Sequence, residues 1–143
     1  MANFKLLKIF TDGGARGNPG TAGIGIHVMD EGGFTIHDHS EYVGETTNNV
    51  AEYKGLLIAL TWLESFSKEN KIEKVEFFMD SKLVVEQINK NWKIKQDHLA
   101  ELAFVIWEKL EKISLPYKLS HIRREKNKVA DLLANQAMDS AQL

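Results

Sequence analysis

The sequence predicts an α/β fold: a five-stranded mixed sheet, three antiparallel strands followed by two parallel ones, flanked by helices. Three observations predict it. Apolar alternation broken by glycine-rich turns fills residues 4–43, as hairpin-linked strands do. Helical periodicity takes over from about residue 50 and returns three times more. Short apolar strands at 74–79 and 117–121 separate those helices, and strand–helix–strand units pair in parallel. The resulting order, βββαβααβα, puts the first strand at the centre.

Each element follows from its residues. Residues 4–11 read as a strand rich in Leu, Ile and Phe. Gly13-Gly14 and Gly17-Asn18-Pro19-Gly20 read as a loop, because Gly, Asn and Pro favour turns. Residues 22–29 form a second strand, Glu31-Gly32-Gly33 a hairpin turn, and residues 34–43 a third strand. Leu56, Ala59, Leu60 and Leu63 fall at i, i+3, i+4 and i+7 of a helix over about 50–66. After the strand at 74–79, Ser81 caps a short helix at 82–90. Leu99, Ala103, Ile106 and Leu110 mark the apolar stripe of a helix at 97–112. Pro116 precedes the last strand, and Asn127 caps a final helix through about 139. With no linker, repeat or low-complexity stretch, residues 1–143 read as one domain.

Composition narrows the function classes. The chain is 43% hydrophobic and 27% charged, as ordinary globular proteins are. It has no cysteine, which removes disulfides, thiolate zinc sites and a cysteine nucleophile, and fits a reducing, cytoplasmic compartment. The apolar start, Met1 to Phe10, is interrupted by Lys5 and Lys8 and is too short for a signal peptide. No stretch is long enough to span a membrane. The net charge of −2 conceals two basic patches. Lys82, Lys90, Lys93 and Lys95 stand against Glu86, and Arg123, Arg124, Lys126 and Lys128 against Glu125. Each reads as a solvated surface or as a footprint for nucleic acid.

Four acids stand out by position. Asp12 ends the first strand and Asp80 the fourth, and sites in open α/β sheets gather at the carboxyl ends of strands. Glu52 lies one turn before Leu56, near the inward stripe of its helix, and Asp131 sits beside Ala130, one turn before Ala134. Each alone has an ordinary use in a turn, a cap or a helix dipole. Together they can converge on one edge of the sheet. Half-buried acids are rare unless paired or metal-bound. Unneutralised, they would repel and raise one another's pKa values, and magnesium, a hard cation that takes oxygen ligands, relieves that repulsion. His37 and His39 share a strand face, either solvated or a metal pair. His27 and His98 carry no signal, and no residue set supports a Ser–His–Asp triad.

The segments TDGGARGNPG, TTNNVAEYKGLLIAL, FMDSKLVVEQI and HIRREKNKVADLLANQA, spanning residues 11–137, resemble the four signature segments of type 1 ribonuclease H, in the same order. The resemblance implies a ribonuclease H-like fold. It also implies an endonuclease that hydrolyses the RNA strand of RNA–DNA hybrids, leaving a 5′-phosphate and a 3′-hydroxyl. The implied metal site is Asp12, Glu52, Asp80 and Asp131, holding two Mg2+ ions, with Mn2+ as a substitute. In the family the first Asp bridges both ions, the last Asp holds the water-activating ion, and the Glu and strand-tip Asp hold the ion on the leaving oxygen. This is the two-metal template, with ions about 3.5–4 Å apart. Asn18, Asn48 and Asn49 match residues that contact RNA 2′-hydroxyls and bases in the minor groove, and Thr47 one that grips a DNA-strand phosphate. Trp92, among the lysines of NKNWK, is similar to a tryptophan that some members place against DNA sugars. It reads as a nucleic-acid contact or as a core residue.

The chain departs from some bacterial members in two places. Only about 88–97 is available for their long basic insertion, which implies weaker, more magnesium-dependent binding. Their loop histidine matches His121, ten residues before Asp131. The form R-E-x-N-x-x-A-D instead resembles the archaeal-type subgroup, where an arginine seven residues before the Asp takes that role; here it is Arg124. Arg124 is favoured and His121 kept as the alternative. The expected partner is an RNA–DNA hybrid, with no membrane, and the expected state a monomer. The rival readings are a catalytically silent RNA- or hybrid-binding module, disfavoured by the four acids, and another nuclease of the same superfold, disfavoured by TNN and GNPG.

Overall fold

Two long strands set the frame. In the computed structural model, which describes residues 1–142, β2 (Leu7–Gly17) and β3 (Gly20–Asp30) form a hairpin closed by Asn18-Pro19 alone. A short strand, β1 (Asn3–Phe4), precedes them, and β4 (Thr35–Thr46) follows. Then come α1 (Asn48–Glu69), β5 (Lys71–Ile72), β6 (Val75–Met79), α2 (Lys82–Ile88), α3 (Asp97–Ile113) and β7 (Tyr117–His121). A single 3-10 turn (Arg124–Lys126) leads into α4 (Lys128–Ala141).

The main sheet has the order β4-β3-β2-β6-β7. β2–β3 and β3–β4 are antiparallel, while β2–β6 and β6–β7 are parallel. The mixed five-stranded sheet and its central first long strand are thus as the sequence predicts.

The differences lie in strand ends. The first strand of the main sheet starts at Leu7, not residue 4, because Asn3–Phe4 pairs instead with Lys71–Ile72 in a separate two-stranded parallel sheet. The loop expected over 13–20 is mostly strand. Gly13 is there for close approach, whereas Gly17, with φ of +91°, serves the β2–β3 turn. A Cβ on Gly13 would lie 2.5 Å from the Ala51 carbonyl of α1, and one on Gly25 would lie 2.1 Å from the Ala130 carbonyl of α4. Asp12 therefore lies inside β2, not at its tip. It does lie just beyond the end of the β2–β6 ladder, whose last pair is Thr11 with Met79.

Alternation along β2 sorts the layers. Gly13 faces α1 and Gly14 faces Met138 of α4, so the two helices cover opposite faces. The larger core lies on the α1 and α3 side, where Leu7, Ile9, Ile26, Leu60, Phe77 and Ile106 are buried. Each fully buried side chain of this size contributes about 1.5–3 kcal/mol. No helix among the described residues is long and apolar enough to cross a membrane.

Candidate active site

Four chain segments bring the acids together, each for a local reason. Gly13 lets the first turns of α1 pack directly on β2, which sets Glu52 beside Asp12. Thr47 caps α1, its side chain accepting from the Val50 N–H at 3.2 Å. Asp80 follows the last residue of β6, and Ser81 caps α2 by accepting from the Val84 N–H at 3.3 Å. Asp131 sits in the first turn of α4.

Carboxylate oxygens of Asp12, Glu52 and Asp80 lie within 4.8 Å of one another. Asp131 lines the same cleft, of about 420 Å³. Burial pushes Asp12 up to about 8, with Asp80, Glu52 and Asp131 adding to the effect and the Gly13 N–H, at 2.8 Å, working against it. Burial pushes Glu52 up to about 7, with a hydrogen bond from Ser81 opposing and Asp80 reinforcing the rise. Such a group of oxygens suits hard divalent cations, whose charge would restore the ionised forms.

Arg124 reaches this cleft, its Nη2 3.6 Å from Asp131 Oδ1. His121 ends β7 in register with Met79, is exposed, and lies outside the cleft lining. Asn127 stands at the start of α4 as expected but does not cap it with its side chain. That amide instead donates to the Thr11 carbonyl at 2.9 Å.

The other sequence-predicted residues divide. Asn18 Oδ1 accepts from the Asn48 N–H at 3.0 Å, and Asn48 Oδ1 accepts from the Ala15 N–H at 2.8 Å, stitching the hairpin tip to α1. Asn48 lines the carboxylate cleft. Asn49 is exposed and lines a separate recess with Lys93, Lys95 and Gln96. Trp92 is 44% exposed, with Lys82 Nζ 6.0 Å from its ring, so it is not a core residue. His37 stacks on Trp62 at 5.0 Å and His39 contacts Glu41; no third ligand joins them among the described residues.

Sequence reasoning missed Arg16 and Asn135, which also line the cleft. Asn135 lies four residues after Asp131, hence on the same helix face. Arg16 lies on the same strand face as Asp12, which only becomes visible once β2 is known to run past residue 12.

A family model described as reverse transcriptase-like matches residues 10–137. The bifunctional protein Rv2228c of Mycobacterium tuberculosis is 41% identical over 134 residues, 93% of this chain but 35% of that protein, so the chain spans about a third of its length. A ribonuclease H of Ruthia magnifica is 33% identical over 148 residues, covering 92% of this chain and 94% of its own. The structure of LC11-RNase H1 in complex with an RNA/DNA hybrid superposes with a TM-score of 0.91 at 45% identity, over 96% of this chain and 99% of that one. RNase H1 from the halophilic archaeon Halobacterium salinarum gives 0.87 at 30% identity, over 94% and 98%. On the match over residues 10–137 and on these near full-length relatives, the chain belongs to the type 1 ribonuclease H family.

Proposed function

We propose that this protein hydrolyses the RNA strand of RNA–DNA hybrids, leaving a 5′-phosphate and a 3′-hydroxyl, and that it acts as a cytoplasmic monomer. The observation that carries the reading is the convergence of Asp12, Glu52, Asp80 and Asp131 in one cleft, two of them held towards the neutral form. A cluster of four acids facing a polyanion is unfavourable unless cations intervene. The structural relative bound to an RNA/DNA hybrid supports the substrate class.

The donor set is all oxygen and suits Mg2+, with Mn2+ as a substitute. Two such ions, once bound, would supply an activated water and charge neutralisation for an in-line displacement. Asp12 would serve both ions, Asp131 the one on the nucleophile side, and Glu52 with Asp80 the one on the leaving-group side. Arg124, beside Asp131, would hold the scissile phosphate by its fixed charge. Asn18, Asn48 and Asn49 would read the RNA strand, whose 2′-hydroxyl distinguishes it from DNA. Thr47 would hold a DNA phosphate, and Trp92 would offer its exposed ring to the DNA sugars.

A substrate panel tests the reading. RNA–DNA hybrid, duplex DNA, duplex RNA and single-stranded RNA are incubated with Mg2+, with Mn2+ and with chelator. Cleavage confined to the RNA of the hybrid and abolished by chelator is expected. Hybrid binding without cleavage in either metal would favour a silent binding module, and cleavage of duplex DNA another nuclease class.

A further inference from the structure

Resting on the metal-site reading above, we infer that Arg16 and Asn135 form a relay that fixes the orientation of the Asp131 carboxylate. They are positioning residues, neither of which is assigned to the reacting atoms. Asp12, Gly14 and Arg16 alternate along β2, so all three face the same side of the sheet. The Arg16 guanidinium meets three side chains of the α4 region. Nη1 pairs with Asp139 and donates to Gln142 Oε1 at 2.8 Å, and Nη2 donates to Asn135 Oδ1 at 3.2 Å.

The chemistry of the amide makes this more than a tether. Asn135 has one accepting end and one donating end, while a guanidinium only donates and an ionised carboxylate only accepts. Asn135 stands between one of each. With Arg16 on its Oδ1, its Nδ2 must face Asp131, donating to the Asp131 carbonyl at 2.9 Å and to Oδ1 at 3.4 Å. Arg16 on one end and the Asp131 carbonyl on the other both select this orientation, and without Arg16 the amide is held by the carbonyl alone, so its end facing the carboxylate is less firmly fixed. Arg124 Nη2 lies 3.6 Å from the same Oδ1. Two donors therefore converge on Oδ1, and Oδ2 is engaged by neither. Asp131 is about one-third exposed, so its side chain has room to turn away if this hold is lost. Groups that orient a metal ligand typically contribute about 10–100-fold in metal affinity.

The test compares wild type, Arg16→Ala, Asn135→Leu and the double variant by calorimetric titration with Mn2+ in the absence of nucleic acid. Thermal unfolding of each is measured alongside. Each single variant is expected to bind Mn2+ at least tenfold more weakly while still folded. The double variant is expected to bind no more weakly than Asn135→Leu alone, because Arg16 acts through Asn135. Arg16→Lys, a single-point donor that cannot span the same partners, is expected to restore affinity only in part. Lower melting temperatures with unchanged Mn2+ affinity would mean that Arg16 only braces the fold, and would overturn the relay. So would fully additive losses. If Arg16→Ala does not fold, Arg16→Lys decides the part of Arg16, and Asn135→Leu, which leaves the Arg16–Asp139 pair intact, decides that of Asn135. A wild type that binds no Mn2+ would overturn the metal-site reading itself, a different result from wild-type binding that the variants share.

Discussion

The side-chain amide of Asn127 donates to the main-chain carbonyl of Thr11 at 2.9 Å, joining the start of α4 to the residue before Asp12. The β2–β6 ladder ends at Thr11, and Asn127 takes up this carbonyl where the strand pairing stops. The Asn127 carbonyl in turn accepts from the Asp131 N–H at 3.0 Å. One buried asparagine thus sets the distance between the strand that carries Asp12 and the helix that carries Asp131.

Replacing it tests that link. Asn127→Ala removes a buried hydrogen bond and leaves the Thr11 carbonyl without it, a loss of about 1–3 kcal/mol. Urea unfolding should show a lower midpoint with an unchanged slope. Hybrid cleavage should fall at a magnesium concentration that saturates the wild type.

The raised carboxyls predict how stability depends on pH. Asp12 and Glu52 hold their protons in the folded state up to about 8 and about 7, but release them near the ordinary carboxylate range when unfolded. Between those limits the folded state binds more protons, so stability falls as pH rises. In chelator, the melting temperature should drop from about pH 5 to about pH 9. Mg2+ should remove most of that drop, and Asp12→Asn should flatten the curve and stabilise the metal-free protein. A melting temperature that rises over this range in chelator would contradict the assignment.

Arg124 and His121 are separated by two alanine substitutions at saturating Mg2+. Arg124 Nη2 lies beside Asp131 whereas His121 lies outside the cleft lining. Arg124→Ala should lower turnover by about tenfold to a thousandfold, the scale of one lost charge-stabilising group. His121→Ala should cost far less. A severe loss in the histidine variant with a mild one in the arginine variant would reverse the choice.

The asparagines should separate by what they hold. Asn49→Ala should raise KM for the hybrid with little change in melting temperature, because the side chain is exposed beside Lys93 and Lys95. Asn18→Ala should lower the melting temperature as well, because its Oδ1 holds the Asn48 N–H. Unchanged KM in Asn49→Ala would remove that residue from the substrate surface.

The sheet order and the four carboxylates were legible because they rest on local signals: apolar alternation, helical periodicity, and acids at the ends of apolar runs. What was not legible depends on pairing across the chain. Gly13 and Gly14 read as a loop because glycine favours turns, but Gly13 is demanded by Ala51, a residue far along the sequence. That misreading shortened the first strand and hid Arg16, which shares a face with Asp12 only if the strand continues. Asn127 reads as a helix cap from its position, and nothing local reveals that the Thr11 carbonyl takes its side-chain amide. Phe4 reads as the start of the apolar run at 4–11, and nothing local reveals that Asn3–Phe4 pairs instead with Lys71–Ile72, far along the chain.

The central claim is that a metal-bound carboxylate cluster cuts RNA in hybrids. Its most direct test is one cleavage assay of an end-labelled RNA–DNA hybrid in Mg2+, run with wild type and Asp80→Asn. Asp80→Asn keeps the shape of the side chain and removes one ligand charge. Wild type should cut the RNA strand to products with 3′-hydroxyl ends, and the variant, still folded and still binding the hybrid, should leave it intact. Near-normal cleavage by folded Asp80→Asn would contradict the account.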